Sequence, residues 1–182
     1  MLKRKVTLIS IMILCAACVA VGTTLAFLTS RAQPVENTFT VGNIKLSLVE
    51  TTGESYQMIP GKTIEKNPHV TVIGESEDCW LFIKVEKTAY FDDYFIYGLD
   101  PGWIHLDGYS GVYFRSVTRS DTDTDFRILK DDTITVRDNL TEEKMSGITE
   151  NPKISFKAYA IQSYSIESAG DAWLKILKEV TE

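Results

Sequence analysis

The sequence is poor in the residues from which disulfide frameworks and metal centres are built. Of its 182 residues, three are cysteines and two are histidines, His69 and His105. Cys15 and Cys18 lie in an apolar N-terminal run, so Cys79 is the single cysteine of the remaining chain. One cysteine cannot form an intrachain disulfide framework. We expect Cys79 to be a buried strand residue, with an intermolecular disulfide as the alternative.

Motifs for catalysis are also missing. The chain has no His-Glu-x-x-His pair, so it lacks the ligands and the general base of a zincin-type metallopeptidase. It has no Gly-x-Ser-x-Gly elbow and no phosphate-binding glycine loop. We therefore expect a protein that is not an enzyme and that needs no cofactor.

Positive charge is scarce as well. The formal net charge is −6, from 19 basic and 25 acidic residues. Three of the basic residues lie at positions 3–5, so a chain without its first 26 residues would carry −9. Such a surface argues against nucleic acid and against an anionic membrane as partners, since both repel negative charge.

The N-terminus has the pattern of a secretory signal peptide. The basic residues at 3–5 are followed by the uncharged, mostly apolar stretch 6–28. Small residues precede Phe27, which predicts cleavage between Ala26 and Phe27 and a signal peptide over residues 1–26. An uncleaved membrane anchor is the alternative, because about 20 apolar residues span a bilayer. Lipid attachment at Cys18 is a third possibility. Apart from that attachment, we expect the protein to contact the membrane only through the uncleaved leader.

The rest of the chain has the residue pattern of β-strands. In residues 38–50 the apolar positions change parity, from odd at Phe39 and Val41 to even at Ile44 and beyond. A one-residue shift turns every side chain to the other face, so we expect a bulge or sharp bend at Gly42. Enrichment in β-branched and aromatic residues predicts further strands at 69–73, 79–87, 111–117, 133–137 and 154–165.

Two short helices are also predicted. Residues 168–180 begin with a capping box from Ser168 to Asp171 and continue with apolar residues at helical spacing. Residues 140–147 form a weaker pattern, with Thr141 as the cap and Gly147 as the stop. Several strands with one or two short helices predict a mainly β fold, a jelly-roll-like antiparallel β-sandwich over residues 39–182.

One element resembles a ligand site. Alternating aspartates are typical of the opening of a calcium loop, and the weak candidates are Asp121, Asp123 and Asp125. However, Phe126 stands where the sharp-turn glycine belongs, and Asp132 stands where a bidentate glutamate is usual. The stretch lies between two predicted strands, where a charged hairpin tip needs no ion. We therefore expect no metal site.

Aromatic residues are concentrated in residues 89–114. An exposed set of them would form a platform for glycan binding, although aromatics at this density are more often core residues. The residues considered for such a platform are Trp80, Trp103, Tyr109, Tyr113 and Phe114.

The junction after the leader resembles a known family. Residues 37–42 (NTFTVG) are similar to the Asn-Thr-Phe-Thr-x-Gly string of the TasA/CalY (camelysin) family of Gram-positive bacteria. Further similarity follows along the chain, in the Pro-Gly turn of 60–68, in Gly102-Trp103 with 111–113, and in 158–162 with Ala172-Trp173. The resemblance thus extends over most of the chain, and the junction is its most specific part.

The resemblance implies a jelly-roll subunit of biofilm matrix fibres, secreted to the extracellular matrix or cell surface. The leader would be removed by a SipW-type signal peptidase. Each subunit's N-terminal segment adds as a strand to the next, so the partners would be other copies of this chain or a related fibre subunit. Residues 27–38 are then the candidate donor strand. The expected anchors are Phe27, Leu28, Val35, Phe39 and Val41.

Other functions stay open at this point. Residues 27–38 would, in the simplest alternative, be a linker or an ordinary first strand of their own domain. The protein would otherwise be an accessory subunit that anchors or caps such fibres, or a glycan-binding module. Camelysin-like proteins have also been described as metallopeptidases, but this sequence has no recognisable metal triad.

Overall fold

The computed structural model describes residues 29–31, 38–52 and 55–181. In this part of the chain the fold is mainly β, with four sheets and three short helices. The strands are β1 (Thr29–Arg31), β2 (Thr38–Val41), β3 (Leu46–Val49), β4 (Ser55–Gln57), β5 (Thr63–Glu65), β6 (His69–Val72), β7 (Cys79–Lys87), β8 (Phe95–Ile96), β9 (Ile104–His105), β10 (Val112–Val117), β11 (Thr124–Arg127), β12 (Thr133–Val136) and β13 (Ile154–Gln162). The helices are α1 (Phe91–Tyr94), α2 (Glu142–Ser146) and α3 (Ala169–Thr181).

The largest sheet has five strands in the order β2-β13-β7-β10-β9. Two sheets have three strands each, β11-β6-β3 and β5-β12-β8, and a two-stranded sheet joins β1 to β4. The pairs are antiparallel except for β2 with β13, which run parallel. The N-terminal strand β2 therefore lies at the edge of the largest sheet, beside the last strand of the chain.

Apolar side chains cover both faces of the five-stranded sheet. On one face, alternate residues of β7 and β13, such as Leu81 and Phe156, belong to the same core as residues of both three-stranded sheets, such as Val70 and Ile134. On the other face, Phe82 and Ile161 pack with Trp173 and Ile176 of α3. The Trp173 ring lies 5.2 Å from the Phe82 ring. Burial on both faces explains the near-continuous apolar sequence of β7.

The strand predictions for the longer elements are confirmed. β7 has the predicted bounds, and β13 begins where predicted and ends three residues earlier. The bend at Gly42 is confirmed as well, because its φ is +96° and the chain passes there from the five-stranded sheet to β3 in another sheet. The prediction of a charged hairpin tip over 121–125 is wrong in part, since β11 already begins at Thr124 and pairs with β6.

The helices exceed the predicted one or two, because the four-residue helix α1 lies in an aromatic-rich stretch without a helical repeat. Both predicted helices are present with their caps. The Ser168 hydroxyl accepts a hydrogen bond from the Asp171 N–H at 3.1 Å and donates one to its carboxylate at 2.6 Å. Thr141 accepts from the Lys144 N–H at 3.3 Å. None of the described helices combines the length and apolar character needed to cross a membrane.

A lysine that the sequence pattern does not single out is buried in the fold. Lys66 follows β5, and its side chain is only 2% exposed. Its ammonium lies 2.6 Å from the Glu50 carboxylate, which is 12% exposed, and 5.9 Å from the centre of the Tyr56 ring. Its backbone N–H donates to the carbonyl of Asp132. The ion pair therefore ties the segment after β3 to the segment after β5.

We expect the substitution Lys66→Met to destabilise the protein by about 3–5 kcal/mol, because it leaves the Glu50 carboxylate buried without a cation. The double substitution Lys66→Met with Glu50→Gln removes both charges, and we expect it to cost clearly less than the single one. Urea unfolding followed by tryptophan fluorescence measures both losses. Equal losses in the two proteins would show that the buried charge is not the cause.

Candidate functional site at the N-terminal strand

The candidate site is the sheet edge at which the N-terminal strand β2 lies. β2 pairs with β13 in parallel, with Thr38 opposite Ala158 and Val41 opposite Ile161. No described strand pairs with its other side. A short strand at a sheet edge is held by one ladder of main-chain hydrogen bonds and by the side chains of one face.

Two of the predicted anchors hold this strand in place. Phe39 and Val41 are half-buried and pack on the core that α3 shares with the sheet. The Phe39 ring lies 6.5 Å from the ring of Tyr159, its register partner on β13. The alternate residue Thr38 is exposed. Thr40 is half-buried as well, so what distinguishes Phe39 and Val41 is that their apolar side chains pack on this core.

The chain leaves β2 through a tight passage at Gly42. Its φ of +96° lies in a region that side chains other than glycine rarely adopt. A Cβ there would lie 3.0 Å from the Cβ of Gln162, the last residue of β13. Gly42 therefore fixes the point at which β2 separates from β13 and the chain turns toward β3.

A second N-terminal strand lies at another edge. β1 pairs antiparallel with β4, with Ser30 opposite Tyr56. β1 is the only strand that pairs with β4 in the described part of the chain. Of the candidate segment 27–38, residues 29–31 and 38 are thus placed as strands within the same chain. The other calls, Ala26 and Phe27 for cleavage and Phe27, Leu28 and Val35 as anchors, fall outside the described residues.

The three calcium candidates do not form a calcium loop. Asp123 accepts a hydrogen bond from the Gly74 N–H at 2.8 Å. Asp125 accepts from the Thr71 hydroxyl at 2.9 Å and lies 2.6 Å from the His69 ring nitrogen Nδ1. The hydrogen bonds of Asp123 and Asp125 are therefore made to the neighbouring strand β6 and to its turn. Over the described ranges, no three His, Cys, Asp or Glu side chains are arranged to hold a metal ion.

The five aromatic residues considered for a glycan platform are divided between the two cores. Trp103 is buried and Tyr113 is partly buried in the core shared with the three-stranded sheets. The other three, Trp80, Tyr109 and Phe114, pack on the opposite face around α3. The five therefore do not form a single platform, although Trp80 and Phe114 lie on the same face with their rings 5.8 Å apart.

Trp103 contacts a partly buried cation, Arg115, that the sequence pattern does not indicate. The Arg115 guanidinium lies 4.2 Å from the centre of the Trp103 ring and 4.5 Å from that of Phe126. Burial between the rings lowers its pKa, while the nearby carboxylate of Asp100, at 3.5 Å, acts in the opposite direction. Gly102 leaves room for it, since a Cβ there would be 2.3 Å from Arg115 Nη2. The adjacent glycine and tryptophan, Gly102-Trp103, were the available signal.

Cys79 is placed as expected, at the start of β7 and fully buried. Burial raises the pKa of its thiol to about 12, with a smaller contribution from the charge of Asp78. Because the thiolate is the reactive form, this thiol is chemically inert in the folded chain. An intermolecular disulfide through Cys79 would require the strand to open.

No family model, no curated protein and no solved structure matches the chain. Support for a function therefore comes from the sequence and from the edge strands described above. In the described structure β2 is held by its main-chain ladder with β13 and by the packing of Phe39 and Val41.

We expect Gly102→Ala to destabilise the protein by about 1–3 kcal/mol, because the added methyl group displaces a guanidinium held between two rings. Gly98→Ala is the matched control. A Cβ at Gly98 would be 3.8 Å from its nearest neighbour, which is ordinary contact. Thermal unfolding of both variants measures the difference, and equal stabilities would contradict the steric role of Gly102.

We also expect Cys79 to react with a thiol reagent only when the fold opens. In a chain of residues 27–182, which has no other cysteine, reaction at about pH 8 should be at least roughly 100-fold slower in buffer than in concentrated urea, because the native thiol is protonated and enclosed. Ellman's reagent gives both rates. A native rate close to that in urea would show that β7 is accessible at its start.

Proposed function

We propose that the protein is a secreted structural subunit of extracellular biofilm matrix fibres, and that it assembles by adding its N-terminal segment to the next subunit. The observation that carries the proposal is the edge position of both N-terminal strands. β1 and β2 each cover a strand, β4 and β13 respectively, with no other partner on that side among the described residues. The finer fold that we propose is a jelly-roll-like sandwich.

In the assembly that we propose, β2 and the residues before it are exchanged together between copies. If β2 leaves, β13 exposes a row of N–H and C=O groups together with the surface that Phe39 and Val41 cover. The same strand from a second copy satisfies the same groups and the same surface, as in other cases of β-strand addition. Each copy then gives one strand and accepts one. Such a head-to-tail contact does not close on itself and produces a filament.

Removal of the leader would determine when this exchange begins. While residues 1–26 remain attached, the segment that follows them is held at the membrane. Cleavage between Ala26 and Phe27 by a SipW-type signal peptidase would release it outside the cell. Assembly would then begin only in the extracellular matrix or at the cell surface, where other copies or a related fibre subunit are the partners.

A specific observation also favours a second candidate function. β1 and β2 already pair within their own chain, so in a single copy the sides of β4 and β13 that they cover are filled. A protein that stays in this state would serve as an accessory subunit, which anchors or caps fibres formed by another protein. The two candidates differ in whether the purified protein polymerises alone.

We expect purified residues 27–182 to form filaments at rising concentration in negative-stain electron microscopy, whereas a chain that begins at Thr38 should form none. A synthetic peptide of residues 27–41 should shorten the filaments, because it occupies the acceptor edge without offering one of its own. A peptide of the same composition in scrambled order is the control.

Circular dichroism of the chain that begins at Thr38 must show that it remains folded, so that lost assembly is not lost structure. Persistent monomers of residues 27–182 would overturn the self-assembling function and favour the accessory one. Filaments from the shortened chain would overturn the role of the N-terminal segment.

A further inference from the structure

His69 lies between two carboxylates that come from different elements. Its Nδ1 is 2.6 Å from Asp125 Oδ2, on β11, and its Nε2 is 3.3 Å from Asp132 Oδ1, in the turn before β12. β6, which begins at His69, and β11 belong to one three-stranded sheet, and β12 belongs to the other. A single imidazole therefore connects the two sheets.

The number of protons on the ring decides whether this connection is complete. A neutral imidazole has one N–H, so it can donate to only one of the two carboxylates, and the other faces a nitrogen lone pair. Asp132 Oδ1 is buried and receives no hydrogen bond from the described residues. A buried acceptor without a donor is costly. A neutral ring with its proton on Nε2 would satisfy Asp132 but would turn the Nδ1 lone pair toward Asp125, 2.6 Å away. Only the doubly protonated ring supplies a donor to both carboxylates.

The surrounding charges favour the same form. Arg127 is the other cation of the cluster, with its Nε 3.0 Å from Asp132 Oδ2. Two carboxylates and one guanidinium leave one negative charge, which an imidazolium neutralises. From β3, the register partner of His69 is the uncharged Val49. From the segment after β5, Lys66 contributes its N–H to the Asp132 carbonyl, while its ammonium binds Glu50.

The turn itself is held in a demanding conformation. Asp131 and Asp132 have φ values of +55° and +53°, which residues other than glycine adopt at a cost in energy. Contacts to the Asp132 side chain from His69 and Arg127, and to its carbonyl from Lys66, keep the turn in place. Loss of one of these contacts should therefore destabilise the turn, because its positive φ values are maintained at a cost in energy.

We propose that His69 is a pH-sensitive connection between the two three-stranded sheets, which bridges Asp125 and Asp132 when it is protonated and loses one of these contacts when it is neutral. The bridge contributes more to stability at acidic pH, where the ring carries two N–H groups, than at alkaline pH, where it carries one. This proposal is independent of fibre assembly.

The test compares urea unfolding of the wild-type protein and of His69→Gln at about pH 5.5 and about pH 8. Because the side chains of the cluster are partly exposed, we expect a moderate effect. The substitution should raise the unfolding equilibrium constant roughly three- to tenfold more at the lower pH than at the higher one. Asp132→Asn should likewise remove most of the pH dependence.

His105→Gln is the matched control, because His105 is the other histidine of the chain and its nearest carboxylate, on fully exposed Asp107, is 3.7 Å away. It should leave the pH dependence unchanged. Nitrogen-resolved NMR of the wild-type His69 imidazole gives a readout without any substitution, because a bridging ring donates a hydrogen bond from each of its two nitrogens at about pH 5.5. A ring that donates from only one nitrogen at that pH, or an effect of His69→Gln that does not change with pH, would overturn the proposal.

Discussion

The antiparallel pairing of β7 with β13 is the constraint on which the rest of the structure depends. Each strand has nine residues, and they pair along their whole length, from Ile154 opposite Lys87 to Gln162 opposite Cys79. Their odd and even positions supply separate cores, one toward the two three-stranded sheets and one toward α3. Because strand pairing fixes both sets at once, a slip of one residue would exchange the two cores.

The position of the N-terminal strand follows from this pairing. β7 occupies one side of β13, so the other side is open to a further strand, and β2 fills it. The covering helix α3 contributes to this surface, because Phe39 and Val41 pack on the core that contains Trp173, and the Phe39 ring lies 6.5 Å from that of Tyr159. The edge therefore selects a strand with apolar residues at alternate positions.

Those features that depend on local sequence could be predicted. β7 and β13 are long runs of β-branched and aromatic residues, and the caps at Ser168 and Thr141 are set by side chains three residues apart. The parity change before Gly42 was visible because it occurs within a few residues. In the candidate site, the alternating pattern indicated a strand at Phe39 and Val41, and both lie half-buried in β2, while their role as donor anchors stays a prediction.

Features that depend on distant residues could not be predicted. β8 and β9 have two residues each, too few for any periodicity. Lys66 is polar in sequence and buried in structure, because its partner Glu50 is 16 positions away. The alternating aspartates of 121–125 resemble a calcium loop in sequence, but Asp123 and Asp125 bind β6 and its turn, and those partners lie about 50 positions away in the chain. The parallel pairing of β2 joins residues that are more than 100 positions apart, and only the completed sheet specifies it.

The length of the connection after β2 bears on the proposed exchange. Only residues 42–45 separate β2 from β3, so the chain's own strand is offered to β13 at a local concentration of about millimolar or more. A second copy presenting the same four-residue strand gains nothing over it. Exchange between copies therefore needs contacts that the β2 segment alone does not supply. Residues 27–37 are the part of the chain that could supply them, which is why their removal should prevent assembly while leaving the β2 edge filled.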